Sequence, residues 1–141
     1  MDQKTFDDFF QPYARNVDKA DNVSAFWRLS ESLITEIIKE NIGKYCTKQT
    51  VVCDAGGGTG RWVVKMSKEI PGNFMVYDRS VDMLVKAKEN IEKSGLSDKV
   101  TLVQGDLTDM KSIESGSIDH LVSIYSPISF IYATDKAAPE M

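Results

Sequence analysis

Thr50-Val51-Val52-Cys53-Asp54-Ala55-Gly56-Gly57-Gly58-Thr59-Gly60 is the stretch whose reading decides the fold. Its first four residues are β-branched or small and mostly apolar, with no polar position alternating among them. That pattern predicts a strand buried on both faces, as the central strand of a parallel sheet must be. Asp54 closes the strand. Four of the next six residues are glycine, so the backbone turns sharply and approaches a ligand with no Cβ in the way. An apolar rhythm of helical spacing starts at Arg61. Strand, glycine turn and helix together form the nucleotide-cradling unit of an open α/β sheet.

The spacing of the turn separates two nucleotide readings. A dinucleotide fold uses Gly-x-Gly-x-x-Gly, whose third glycine lets the helix pack on the strand. Counted from Gly56 that third place is Arg61, and counted from Gly58 it is Val63. The pattern present is Asp54-x-Gly56-x-Gly58-x-Gly60. It resembles the first motif of the class I S-adenosylmethionine-dependent methyltransferases, which have a Rossmann-like fold. The resemblance puts Asp54 in the place of the acidic residue. It puts Gly56 and Gly58, with Gly57 between them, beside the methionine part of the cofactor. A plain structural turn is the competing reading, because such turns also use glycine.

Downstream the chain repeats strand and helix. Trp62, Val63, Met66 and Ile70 predict the inner face of a helix that Pro71-Gly72 ends. That helix would present its N-terminal amides and positive dipole end to an anionic group such as the cofactor's carboxylate. Phe74 to Tyr77 predict a second strand ended by Asp78. A carboxylate at that strand end, just over twenty positions past the glycines, is able to accept hydrogen bonds from both ribose hydroxyls. The alternative is an acidic cap, but Ser80 already offers a cap, with Asp82 in the first turn that follows. The resemblance adds the neighbouring Arg79 and Met83 to the cofactor-binding set. The next helix runs through Val81, Leu84, Ala87, Lys88 and Ile91 to Gly95.

Val100 to Val103 predict a third strand, followed by Gln104-Gly105-Asp106-Leu107. In the family resembled, an acidic residue here takes a hydrogen bond from the adenine amino group and the next residue's backbone holds a ring nitrogen. Asp106 and Leu107 match those two positions; the simpler reading is a turn. Ser115-Gly116-Ser117 is a turn, and Leu121 to Tyr125 predict a fourth strand. Tyr125 stands at its ligand-facing end, where the family sets backbone carbonyls and nearby side chains against the methionine ammonium and the substrate. His120, the only histidine, lies at the opposite end of that strand and is read as structural.

Upstream, Phe6, Phe9, Phe10 and Tyr13 fall at helical spacing, interrupted by Pro12. They predict a short packed helix or, by the resemblance, an aromatic lid, with Phe9, Tyr13 and Arg28 as candidate substrate or lid residues. Ser24 is a candidate cap for a helix whose apolar stripe is Phe26, Leu29, Leu33, Ile34, Ile37, Ile38 and Ile42, stopped by Gly43. Residues 1–44 are thus expected to form a helical lid or cap, and 45–141 the cofactor-binding core.

The chain has 141 residues and a formal net charge of −4, enough for one modest core and poorly suited to a sequence-independent grip on nucleic acid. Cys46 and Cys53 are the only cysteines. They suggest no disulfide framework, and Cys53 is read as packing. No signal peptide, membrane-spanning run or metal-ligand spacing is read, and a cytoplasmic location is the expectation. The fold class expected is α/β: an open, mainly parallel Rossmann-like sheet with helices on both faces. Members of the family continue through three more strands, so the chain reads as truncated after the fourth, with a homodimer or domain swap as one way to cover the open edge. The expected function is methyl transfer from S-adenosylmethionine to a small-molecule acceptor. The alternatives are a cofactor-binding but catalytically incomplete fragment, and an NAD-dependent oxidoreductase.

Overall fold

A computed structural model describes residues 5, 8, 9, 12, 25–125, 127 and 134–141. The expectations for Tyr13 and for the cap at Ser24 lie outside the described residues. The elements run α1 (Ala25–Asn41), a short 3-10 turn (Gly43–Tyr45), β1 (Val51–Ala55), α2 (Arg61–Glu69), β2 (Asn73–Asp78), α3 (Val81–Lys93), β3 (Val100–Gln104), β4 (His120–Val122) and α4 (Thr134–Glu140).

The strands form one sheet in the order β3-β2-β1-β4, and every pairing is parallel. β1 is central, and the order reverses between it and β4. In open parallel sheets that reversal is where ligands bind, beyond the carboxyl ends of the strands. The opposite end is stitched shut. Asp119 accepts the Val51 N–H on Oδ2 at 2.8 Å, and its own N–H donates to the Val51 carbonyl at 3.0 Å.

Strand alternation divides the core in two. Val52, Phe74 and Val76 face α1, α2 and α3, where they meet Ile38, Trp62, Val63, Met66, Ala87 and Ile91. Cys53, Ala55 and Tyr77 face the other way, toward Leu107, Met110 and Ala137. That second face carries α4 through Ala137, but the irregular connection from β3 to β4 supplies most of the remaining cover, including Ile113 and Ile118. Helices therefore lie on both faces, unequally.

Two details depart from the sequence reading. The stripe on α1 is split: Ile34, Ile38 and Ile42 pack into the core, whereas Phe26, Leu29, Leu33 and Ile37 are exposed. Seven apolar positions make a band wider than one contact face of a helix. The fourth strand ends at Val122 rather than Tyr125, and Tyr125 itself takes a left-handed backbone with φ 62°, outside the strand region. Among the described residues, no helix is long and apolar enough to cross a membrane.

Candidate functional site

The four glycines have distinct tasks. Gly56, Gly58 and Gly60 have φ of 74°, 52° and 69°, a region that side chains with a Cβ disfavour. A Cβ on Gly56 would sit 2.3 Å from the Pro127 ring, and one on Gly57 would sit 3.0 Å from the Asp54 carboxyl. On Gly60 it would press on Ala87 at 3.3 Å and Val76 at 3.4 Å. Gly60 thus does the helix-packing work that the third glycine does in a dinucleotide fold, one place earlier in the chain. Among the described residues, Gly58 alone of the four looks onto free space, with Met83 Sδ, at 3.7 Å, the sole neighbour of its notional Cβ. The turn is anchored from beneath by the Tyr77 carbonyl, which accepts the N–H groups of Gly56 at 2.8 Å and Gly57 at 3.2 Å.

Around this turn stand the carboxylates. Asp54 is 1 % exposed, and its Oδ2 has no hydrogen-bond partner among the described residues. Burial, and then the charge of Asp78, push its carboxyl up to about 7. Asp78 ends β2 with each oxygen taking one backbone N–H, Oδ2 from Gly58 and Oδ1 from Ser80, both at 2.8 Å. Burial raises its pKa, opposed by those hydrogen bonds and by one from the Arg79 backbone. A carboxylate offers about four acceptor positions, so the group keeps capacity for a further donor. The Ser80 side chain caps α3 by accepting the Met83 N–H, as its sequence position suggested.

Asp106 lies beyond β3, and its Oδ2 is 3.6 Å from the Arg79 guanidinium. Burial works against its charge, but the Thr108 N–H and hydroxyl, helped by Arg79, hold its carboxyl below the usual range. Leu107 is buried beside it. Arg79 thus links the ends of β2 and β3, and the Asp78 carbonyl accepts the Gly105 N–H at 3.0 Å. Asp54, Gly58, Asp78, Arg79, Met83 and Asp106 form one connected neighbourhood along the carboxyl edge of the sheet.

The β4 side of that edge is aromatic. The Tyr125 ring meets Trp27 of α1 edge-on at 5.1 Å and Trp62 of α2 at 5.8 Å. This brings the start of α1 to the mouth of the site. Arg28 is exposed, as is Phe9. His120 sits opposite Val52, at the far end of β4. Cys53 is fully buried, and burial and Asp54 push its thiol up to about 12.

Two features were not singled out by the sequence reading. Glu31 of α1 is buried and pairs with both Arg61 and Lys65 of α2; its only sequence signal was a carboxylate mid-helix. Tyr77 and Gly105 fit together: the ring occupies the space in front of the glycine, and the hydroxyl donates to the Asp106 carbonyl at 3.2 Å. An aromatic in a strand and a glycine in a turn give no hint of that contact. Among the described residues no cluster of His, Cys, Asp or Glu is arranged to hold a metal ion.

Known proteins resemble the chain in sequence and in fold. The family model described as "Methyltransferase domain" matches residues 52–141. The tRNA 5-carboxymethoxyuridine methyltransferase of Escherichia coli is 25% identical over 112 residues, covering 79% of this chain and 41% of that protein. The release factor glutamine methyltransferase of Rhodopirellula baltica is 37% identical over 82 residues, 57% of this chain and 28% of that one. The chain thus spans less than half the length of these curated relatives. A crystal structure of an S-adenosyl-L-methionine-dependent methyltransferase, so assigned provisionally, from Methanococcus maripaludis superposes with a TM-score of 0.78 at 25% identity, covering 92% of this chain and 56% of the other. With the glycine turn, the strand-end carboxylates and the strand order β3-β2-β1-β4, these likenesses establish that the chain belongs to the class I S-adenosylmethionine-dependent methyltransferase family.

Proposed function

We propose that the protein transfers a methyl group from S-adenosylmethionine to a small-molecule acceptor at the carboxyl edge of β1 and β4. The single observation that carries the reading is the tie between Gly58 N–H and Asp78 Oδ2. It sets the open face of the glycine turn beside a partly buried carboxylate with spare acceptor capacity. The residues suit the cofactor. Asp78 would take the ribose hydroxyls, and Asp106 with the Leu107 backbone the adenine. Gly58 would border the methionine segment, and Asp54, with an unpartnered buried oxygen, would complement its ammonium.

When bound, the cofactor supplies a methyl already activated on a sulfonium. The chain's task is then to orient the acceptor and exclude water, and positioning of this kind is worth up to about 7–11 kcal/mol. Trp27, Trp62 and Tyr125 form an apolar wall on the β4 side, suited to a dry site. Residues 1–44 are proposed as the cap over it.

The curated relatives favour a second reading, in which the acceptor is a tRNA or a protein. The net charge of −4 weighs toward the small molecule, since nucleic-acid binding draws on clustered cations. Calorimetry with S-adenosylhomocysteine and NAD tests the cofactor, and micromolar binding of NAD alone would refute it. Transfer of labelled methyl to metabolite, tRNA and protein pools tests the acceptor. Label entering only macromolecules would replace the small-molecule reading.

A further inference from the structure

Tyr77 is the largest fully buried side chain among the described residues, yet its hydroxyl is not idle. It donates to the Asp106 carbonyl at 3.2 Å, the same oxygen that accepts the Asp109 N–H at 3.0 Å to close the turn. The phenol reaches that carbonyl through a gap that exists only because residue 105 is glycine: a Cβ there would lie 1.9 Å from the Tyr77 oxygen. The Asp106 side chain is held separately. Its Oδ1 accepts the Thr108 N–H at 2.9 Å and hydroxyl at 2.8 Å, leaving Oδ2 toward Arg79. Backbone and side chain of one residue are therefore fixed by different partners, and only the backbone anchor reaches in from the core.

A phenylalanine would fill the core about as well. The hydroxyl must be partnered to be tolerated there, and its partners, the Asp106 carbonyl and the Ser112 side chain, lie in the connection after β3 rather than in the sheet. Resting on the cofactor site proposed above, we propose that Tyr77 is a positioning residue for adenine recognition. Seated in the gap at Gly105, it sets where the Asp106 carboxylate and the Leu107 amide stand, and so sets the preference for a 6-amino over a 6-oxo purine. A hydrogen-bonding site discriminates only while its groups are held in place, because a shifted acceptor no longer penalises the wrong ligand edge.

The experiment is a pair of dissociation constants, for S-adenosylhomocysteine and its 6-oxo counterpart S-inosylhomocysteine, measured by calorimetry on wild type and on Tyr77→Phe, Gly105→Ala and Asp106→Ala. A ratio taken on a single variant does not depend on how much of it is folded, so loss of stability alone leaves the ratio unchanged. Tyr77→Phe is expected to cut the preference for the amino form at least threefold, and Gly105→Ala, which drives the ring out of its seat, at least as much. An unchanged ratio in Tyr77→Phe, with Asp106→Ala reducing it, overturns the role of Tyr77 and leaves the cofactor site standing. An unchanged ratio in Asp106→Ala removes Asp106 from the adenine site and overturns both readings.

Discussion

Gly58 donates its backbone N–H to Asp78 Oδ2 at 2.8 Å, joining residues twenty positions apart. The contact holds the glycine turn after β1 against the carboxylate that ends β2. It also defines the charge of that carboxylate, since burial raises the Asp78 pKa while the amides of Ser80, Gly58 and Arg79 pull it back. A ligand meeting the turn therefore meets Asp78 as well.

Asp78→Ala removes both the anchor of the turn and the proposed ribose acceptor. Hydrogen bonds to charged groups contribute about 1.5–3 kcal/mol each, so S-adenosylhomocysteine affinity should fall at least tenfold in calorimetry. Circular dichroism should still show the α/β spectrum. Affinity within twofold of wild type would take Asp78 out of the site.

The glycines should separate by the neighbour each one faces. Gly56→Ala drives a methyl into Pro127 at 2.3 Å, whereas Gly58→Ala meets only Met83 Sδ at 3.7 Å. Both carry the left-handed cost of about 1–2 kcal/mol, but the collision falls on Gly56 alone. Thermal melts should rank Gly56→Ala as the less stable. Gly58→Val, bulky toward the open face, should lose cofactor binding, and normal affinity in that variant would contradict its assignment.

Asp54 gives the ligand-free protein a pH dependence of known sign. Its carboxyl is pushed from an ordinary 3.8 to about 7 by burial and Asp78. Between those values the folded state holds a proton that the unfolded chain has released, so stability falls as pH rises. The contribution is fully present below about 4 and is lost as pH passes about 7. Comparing melts of wild type and Asp54→Asn from pH 4 to 8 isolates it: the wild-type curve should fall more steeply. Parallel curves would show that Asp54 is ionised throughout.

The two thiols should differ in reactivity. Cys53 is fully buried, with its thiol pushed up to about 12, while Cys46 is half-buried and raised chiefly by burial, with a smaller part from Asp119. The thiolate is the reactive form. Iodoacetamide at pH 8 should therefore label Cys46 first and reach Cys53 only on denaturation, as peptide mapping by mass spectrometry would show. Equal labelling of the native protein would mean that β1 opens.

Glu31→Ala should loosen α1 from α2, because it removes the carboxylate that Arg61 and Lys65 of α2 share. Removing one partner of a buried pair costs about 3–5 kcal/mol. Here the two cations remain partly exposed, so a loss at or below the low end of that range is expected in urea unfolding. No change in the midpoint would show that the pairs are without consequence for stability.

Local pattern carried most of the architecture. A β-branched run, a glycine turn and helical apolar spacing recur along the chain, and each follows from backbone preference and burial within a few residues. That sufficed for β1, α2, β2, α3 and β3, for the Ser80 cap, and for Asp54, Asp78 and Asp106 at strand ends. Contacts between distant segments lay beyond it. Which half of the α1 stripe turns inward depends on where α2 lies, and the Tyr125 ring meets Trp27 and Trp62 from two other elements. Pro127 fills the front of Gly56, and Tyr77 reaches Asp106 across Gly105. Sequence by itself determined the elements and the acidic residues that close them, since those obey short-range rules. Tertiary structure alone decided which glycine faces open space and which carboxylate oxygen lacks a hydrogen-bond partner among the described residues, and which phenol holds a turn, because each depends on what another part of the chain places within a few ångströms.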